Sequence, residues 1–459
     1  MTTAGALTTT RLVRAEARPS RTLAVTAAAT LLVLATFSVT PATVLDTART
    51  VHAGLAGQTW ALSGMSLGMA TALLAVGSLA DDFGRRRVLV WSAGLLALAS
   101  VVAAVAPSIG VFVAARVMQG VAGAGVSAAS LAAIGHAFPD GPERTHATGV
   151  WGAAVGGGIA LGPILGAVLV APLGWRSGYW LQAIAAAALV PAASRIAESR
   201  AATPRPVDLS GVATLGTGMA ALTAGLVEGR SSWTSATTVG LLAAGVLLLT
   251  VFAFVELRRR APMVDLRLVR EPLFVASLTG ALFTGVAIVG LMSFSISFME
   301  RGLGLGIVTA AAVLIAWSGT SMVVALLVRR LRIVASSPLR LAIGLALAGA
   351  GEVALTGLSG GSGWARLVPG LAIAGVGSGI ANAALGRLAV ESVPHERAGM
   401  GSGANNTARY LGGAAGVALV VAVVSGSGGG LVSGWNVATV VCGALCFAGA
   451  GLAALCARR

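Results

Sequence analysis

Charge is scarce in this chain: only 10% of its 459 residues are Asp, Glu, Lys or Arg, so ionic chemistry is confined to a few places. The first is Gly77-x-Leu79-Ala80-Asp81-x-x-Gly84-Arg85-Arg86, a compact charged turn between two apolar runs. Its glycines permit a tight reversal, and Asp81 and the arginines after it can pair with each other, with helix ends, or with Asp140 and Glu143. Ion pairs in a turn can form and break, as a latch requires. The second place is Arg116-x-x-Gln119-Gly120, inside an apolar run. A guanidinium there is costly unless it faces protein or water, which makes it a functional residue by default. The third is Gly158-x-x-x-Gly162-Pro163-x-x-Gly166-Ala167, where small residues allow close helix approach and Pro163 removes a backbone hydrogen bond to give a bend.

Glu352 is the one acid well inside an apolar run, whereas Asp46 and Glu300 fall at the ends of runs, where a solvated role is expected. Arg387 has Glu391 one helical turn on, a spacing that can neutralise it. Ser293, Ser295 and Ser297 alternate, so on a helix they cannot share one face. Cys442, Cys446 and Cys456 all lie in the last apolar run and read as small buried hydrophobes, not as a disulfide or metal site. His52, His136, His146 and His395 are scattered, and the connectors contain no HExxH and no Cys/His cluster. No metal, no cofactor and no enzyme activity are therefore expected.

The elements that must position these residues are membrane helices. With 56% hydrophobic residues and a mean hydropathy of +0.89, the chain is no ordinary soluble domain, and about fourteen apolar runs are long enough to cross a bilayer. They lie near residues 22–44, 57–80, 88–106, 110–137, 148–171, 177–194, 209–228, 236–256, 273–298, 306–328, 340–358, 367–388, 402–424 and 434–456. The formal charge of +15 is carried by arginine alone, mostly in short connectors, where it sets orientation instead of binding nucleic acid. With a cytoplasmic N-terminus, 23 arginines fall inside and five outside, which puts both termini in the cytoplasm. Trp175, Trp180, Trp233, Trp364 and Trp435 are then expected in an aromatic belt at the outer interface. The first run is too long for a signal-peptide core and reads as a retained span.

Two polar inner connectors, 193–208 and 256–272, bracket two spans and leave six on either side. The expected division is a cytoplasmic tail 1–21, a six-helix bundle 22–194, a linker region 195–272 with two extra spans, and a second six-helix bundle 273–459. Leu327-Val328 running into Arg329-Arg330-Leu331-Arg332 is a degenerate echo of the first charged turn, a sign of two bundles of common origin.

Together, and in this order, the motifs resemble those of the major facilitator superfamily, and the 6 + 2 + 6 layout is similar to its fourteen-span drug:proton antiporter branch. The resemblance implies an all-α polytopic fold with eight spans around a central cavity and spans 3, 6, 11 and 14 at its periphery. It implies that Gly77, Asp81, Gly84, Arg85 and Arg86 gate opening, that Arg116 couples to protons with Gln119 beside it, and that Gly158, Gly162, Pro163 and Gly166 form the motif associated with antiporters. Ser63, Asn382, Asn405, Asn406 and Arg409 become cavity candidates, and Glu352 a coupling candidate on a peripheral span. Two departures stand out: Asp82 follows Asp81 where a basic residue is common, and Phe37 takes the place of a first-span acid. The implied function is proton-coupled efflux of a small organic compound, a drug or antibiotic, by a monomer in the cell membrane. Small-molecule substrate, protons and the lipid bilayer are its partners. A metabolite or nutrient permease of the same fold is the alternative, ahead of a polytopic enzyme or a non-transporting sensor.

Overall fold

A computed structural model describes residues 19–138, 142–200, 208–229, 232–259, 266–327, 336–393 and 398–457. These residues form fourteen long helices: α1 (Pro19–Thr50), α2 (Leu55–Phe83), α3 (Arg85–Ala104), α4 (Ile109–Ala137), α5 (Pro142–Leu173), α6 (Arg176–Ser194), α7 (Leu209–Glu228), α8 (Ala236–Arg258), α9 (Pro272–Gly302), α10 (Ile307–Leu327), α11 (Ser337–Ala354), α12 (Val368–Glu391), α13 (Ala398–Gly426) and α14 (Gly430–Ala457). Helix is what an apolar chain must form in lipid, because it satisfies every backbone donor and acceptor within the segment. Ten of the fourteen are long and apolar enough to cross a membrane, while α2, α6, α7 and α11 fall short of that measure among the described residues. Large apolar side chains stay exposed, such as Trp91 at 80% and Leu247 at 63%, on a scale that only a lipid environment makes favourable.

The helix pairings repeat with an offset of eight helices. The contacts α1 with α5, α2 with α4, α3 with α4 and α3 with α6 recur as α9 with α13, α10 with α12, α11 with α12 and α11 with α14. The two groups of six meet along two seams that obey the same relation, α2 against α13 and α10 against α5. The intervening α7 and α8 pack on each other, and α7 stands against α2 and α13 at one seam.

The end at which α1 starts is here called proximal and the end at which it stops distal. Distal residues of both groups share one continuous core, in which Val44, Leu45, Phe112 and Tyr179 join Met292, Phe298, Leu371 and Trp435. The proximal half of the first group has its own core around Val33, Met65, Met69, Leu89 and Leu96, with Met219, Phe252 and Tyr410 brought in from α7, α8 and α13.

The structure corrects the aromatic-belt expectation in part. Trp180, Trp233 and Trp364 are about half exposed, but Trp435 is 1% exposed and stacked on Phe298 with ring centroids 4.1 Å apart. Trp175 is likewise buried, edge-on to Phe112 and Tyr179. These two indoles fill core space between helices, a role that interface position in a sequence does not reveal. α9 also holds a surprise, a π-helical stretch Thr284–Val289 between two α-helical halves.

Candidate functional site

The charged turn is shorter than its sequence suggests. α2 continues through Gly77 to Phe83, so Gly77 is a helix-interior residue with open space beside it, and only Gly84 makes the reversal, at φ +111°. That positive φ suits glycine, and a Cβ at Gly84 would also stand 2.6 Å from Glu198 Oε1. Glu198, which follows α6, organises the turn: its Oε1 accepts the Arg86 backbone N–H at 3.1 Å, and its Oε2 lies 3.6 Å from Arg86 Nε and 3.8 Å from Arg87 Nε. The Arg85 N–H donates to the Ser199 carbonyl at 3.0 Å. The side chain of Asp81, and Asp140, lie outside the described residues, as does the echo at 328–332. Glu198 carried no motif signal, being one acid in a polar connector.

Arg116 is completely buried within the first bundle and, among the described residues, has no carboxylate within hydrogen-bonding or ion-pair distance. Its Nη1 donates to the Thr36 carbonyl at 3.1 Å and to Gln119 Oε1 at 2.7 Å, and its Nη2 reaches the Phe37 carbonyl at 3.5 Å. Those carbonyls belong to α1 just before Pro41, whose missing N–H leaves the Phe37 oxygen without its helical donor. Gln119 passes the network on, with Nε2 donating to Ser100 Oγ of α3 at 2.9 Å and to Gln182 Oε1 of α6 at 3.4 Å. One Arg-x-x-Gln pair, spaced to share a helix face, thereby ties α4 to α1, α3 and α6. The spacing of the motifs does not reveal the contact of Arg116 with the Phe37 carbonyl, although a proline inside a span, Pro41, is its visible signal.

Gly158, Gly162 and Gly166 form the seam of α5 on α1. A Cβ at Gly158 would lie 2.5 Å from the Leu31 carbonyl and 2.7 Å from Leu34 Cβ, and one at Gly162 would meet Ser38 Oγ and the Ala35 carbonyl. Gly166 fits against Val39 and Ala42. Ser38 Oγ donates across this seam to the Gly158 carbonyl at 3.1 Å. Pro163 lies within α5, which runs helical past it to Leu173. The equivalent seam of the second bundle joins the π-helical stretch of α9 to α13, with Gly285 against Gly412 and Gly413, and Gly290 against Gly416.

On α13 the candidates separate. Asn405 is buried and holds α9, with Nδ2 donating to the Ser277 carbonyl at 3.0 Å and to Ser277 Oγ at 2.9 Å. Asn406 instead positions a cation, since Arg409 Nη2 donates to Asn406 Oδ1 at 2.6 Å. The Arg409 guanidinium stands 5.3 Å from the Tyr410 ring centre, and Tyr410 meets Phe37 of α1 edge-on at 5.9 Å, joining the two bundles. Ser63 Oγ on α2 and Asn382 Oδ1 on α12 are inaccessible and have no hydrogen-bond partner.

Arg387 is exposed and bonded to Glu391 at 3.2 Å, as its spacing predicts. Glu352 is fully buried in the last turn of α11 and accepts from Cys446 Sγ of α14 at 3.5 Å, away from the seams between bundles. Among the described residues, no cluster of His, Cys, Asp and Glu has the makings of a metal site.

The sequence profile of the Major Facilitator Superfamily matches residues 25–417. The multidrug resistance protein Stp of Mycobacterium tuberculosis is 31% identical over 384 residues, covering 83% of this chain and 71% of the relative. The drug efflux pump JefA of the same species is 32% identical over 400 residues, with 82% and 74% covered. The puromycin resistance protein pur8 of Streptomyces alboniger is 32% identical over 392 residues, with 80% and 74% covered. Among solved structures, the crystal structure of the human organic anion transporter MFSD10 superposes with a TM-score of 0.66 at 18% identity, over 95% of this chain and 99% of that one, a likeness of fold.

Proposed function

The chain belongs to the major facilitator superfamily and is a multi-span membrane transporter, and from that premise we propose that it exports small organic compounds, drugs or antibiotics among them, across the plasma membrane at the expense of the proton gradient. The relatives named for drug efflux and antibiotic resistance support the substrate class and the direction. In this reading all fourteen helices span the bilayer, the proximal end is cytoplasmic with both termini, and a monomer is the working unit. The bundles 22–194 and 273–459 rock about the seams α2/α13 and α5/α10, with the region 195–272 as an accessory hairpin.

The observation that carries the mechanism is the offset-of-eight repetition of helix pairings, which extends to the seams themselves. Two repeats that meet through equivalent surfaces can exchange which mouth is closed at little cost in buried area, the requirement for alternating access. The glycine seams serve as stiff spines: α5 is locked on α1 and α13 on α9, so motion occurs between bundles and not within them. The Arg116 network does the same for α1, α3, α4 and α6. A proton entering down a membrane potential supplies about 2.3 kcal/mol per 100 mV, enough for one or two protons to sustain a substantial concentration ratio.

Inverted membrane vesicles test the proposal. Energised vesicles should accumulate neutral or anionic members of a compound panel, and an uncoupler should abolish the accumulation. Accumulation that ignores the uncoupler would remove the proton from the mechanism, and flux confined to a nutrient would favour a permease.

A further inference from the structure

At the distal mouth the two bundles meet through four charged residues whose pairing is incomplete. Arg49 of α1 is spent on Asp46, three residues earlier, with Nη1 3.0 Å from Oδ1. Arg301 of α9 crosses between bundles to α2, its Nη2 donating to Gln58 Oε1 at 2.7 Å. Glu300, beside Arg301, is left over: its Oε2 is inaccessible to solvent and has no hydrogen-bond donor. The electrostatic neighbours of Glu300 are Asp46 and Arg49 from α1 and Arg301 from its own helix. The other helices packed on the distal half of α9, namely α10, α13 and α14, bring no titratable residue to that end.

We infer that Glu300 is a proton-binding site, occupied when the distal mouth is closed and emptied when it opens. The reasoning is one of solvation. Closure removes water from one Glu300 oxygen and leaves it without a donor, and the like charge of Asp46 adds to the cost of ionisation; the guanidiniums of Arg49 and Arg301 oppose that cost, but each holds another partner. A covered carboxylate oxygen without a donor carries an uncompensated desolvation cost, and a proton on the carboxyl removes it. Opening separates α1 from α9, returns water to Glu300 and frees the proton. The proton enters from the distal solution and leaves to it, so the site carries none across the membrane; it makes acid on the distal side favour the closed mouth. The inference rests on the alternating-access reading above.

Spin labels at Leu55 on α2 and Val308 on α10, exposed by 48% and 50%, report the mouth of the full-length protein in lipid nanodiscs. The closed-to-open ratio should rise toward acid pH by up to about tenfold per pH unit, the limit for one linked proton. Glu300→Gln should hold the mouth closed and flatten the response, and Glu300→Asp should restore it. Asp46→Asn should keep the response and move it to more acid pH, because the like charge that favours the proton is gone. A wild-type response surviving in Glu300→Gln, or unchanged in Asp46→Asn, overturns the inference, and so does a transporting protein whose distances ignore pH. Distances that respond as described in a chain that moves no compound of the panel overturn the transport reading and leave the gate standing.

Discussion

Arg116 Nη2 lies 3.5 Å from the carbonyl oxygen of Phe37, the oxygen that Pro41 deprives of its helical N–H. A buried carbonyl without a donor costs on the order of 1–3 kcal/mol, and a cation without a partner costs more, so each group answers the other's need. In this chain the fourth-span arginine is therefore bonded to α1 backbone and to Gln119.

The first prediction follows from that geometry. Arg116 uses two nitrogens for three acceptors on two helices, a fork that lysine cannot reproduce. Arg116→Lys should lower transport nearly as much as Arg116→Ala, and thermal unfolding of the purified protein should show a loss of about 2 kcal/mol. Pro41→Ala restores the missing N–H, so in that background Arg116→Lys should cost less, by about 0.5–2 kcal/mol in a double-mutant cycle. Strict additivity would mean that Arg116 does not serve the proline break.

A Cβ at Gly158 collides with α1 backbone, whereas one at Gly152 on the same helix finds open space. Gly158→Ala should destabilise by about 1–3 kcal/mol and slow exchange between states, while Gly152→Ala should be neutral or slightly stabilising. Equal effects at the two sites would detach the glycine motif from helix packing.

At the charged turn, Gly84→Ala combines a strained φ with a clash on Glu198, and should cost about 1–3 kcal/mol. Glu198→Gln should leave folding intact but loosen the turn, seen as faster hydrogen exchange at Arg86, whose N–H loses its charged acceptor. Unchanged exchange at Arg86 would show that the contact contributes nothing.

Much of this arrangement was legible in the sequence, for identifiable reasons. The positions of the helices follow from apolar runs, since lipid leaves the backbone no alternative, although α1 continues past its run to Thr50 and α5 begins before its run at Pro142; the pair Arg387 and Glu391 follows from helical spacing. Gly77 and Gly84 both read as turn glycines because a reversal demands a residue free of Cβ, but only Gly84 makes the reversal. What escaped depended on which helix meets which. Glu198 lies 114 residues from Gly84 in the chain (198 − 84) and marks itself by no spacing. Trp175 in a connector and Trp435 near the start of a helix occupy positions typical of an interfacial indole, yet fold into the core because Phe112 and Phe298 wait on neighbouring helices. Glu300 reads as solvated at a helix end, and the covering of its Oε2 leaves no mark in the spacing of the chain.

The accessory hairpin supplies a pH prediction. Burial opposes ionisation of Asp208, but the Gly211 N–H, the Ser210 hydroxyl, Glu256 and Arg259 outweigh it and hold the carboxyl below its usual range. Asp208 also caps α7 through Gly211 at 2.7 Å and pairs with Arg259 at 3.1 Å. Because its folded-state value lies below the ordinary one near 4, its stabilisation is complete above about pH 4 and is lost as pH falls through the lower, folded value. Asp208→Asn should weaken α7 protection at neutral pH and remove that acid transition. A variant whose hydrogen exchange in α7 tracks the wild type from neutral to strongly acid pH would disprove the role.

The last prediction concerns the charge of the substrate. Where the bundles meet at mid-depth, the described groups are Phe37, Tyr410 and the partly buried Arg409 with Asn406, and the acids of the neighbouring helices lie at helix ends, as Asp46 and Glu300 do. Arg387 is exposed and paired with Glu391. Glu352 is buried on α11 against Cys446, apart from both seams. A permanent cation at the Phe37–Tyr410 contact would give up water beside a like charge with no carboxylate to compensate, a penalty of about several kcal/mol. Neutral and anionic compounds escape it, and an anion gains a guanidinium whose orientation Asn406 already fixes. Vesicle transport should thus favour neutral and anionic compounds over quaternary cations. Arg409→Gln should cut anion flux at least about tenfold, the effect of losing one charged hydrogen bond of roughly 1.5–3 kcal/mol, while sparing neutral compounds. Glu352→Gln should leave uncoupler-sensitive flux largely intact. Efficient carriage of ethidium-like cations that Glu352→Gln abolishes would instead make Glu352 the coupling acid and place the substrate path within reach of α11.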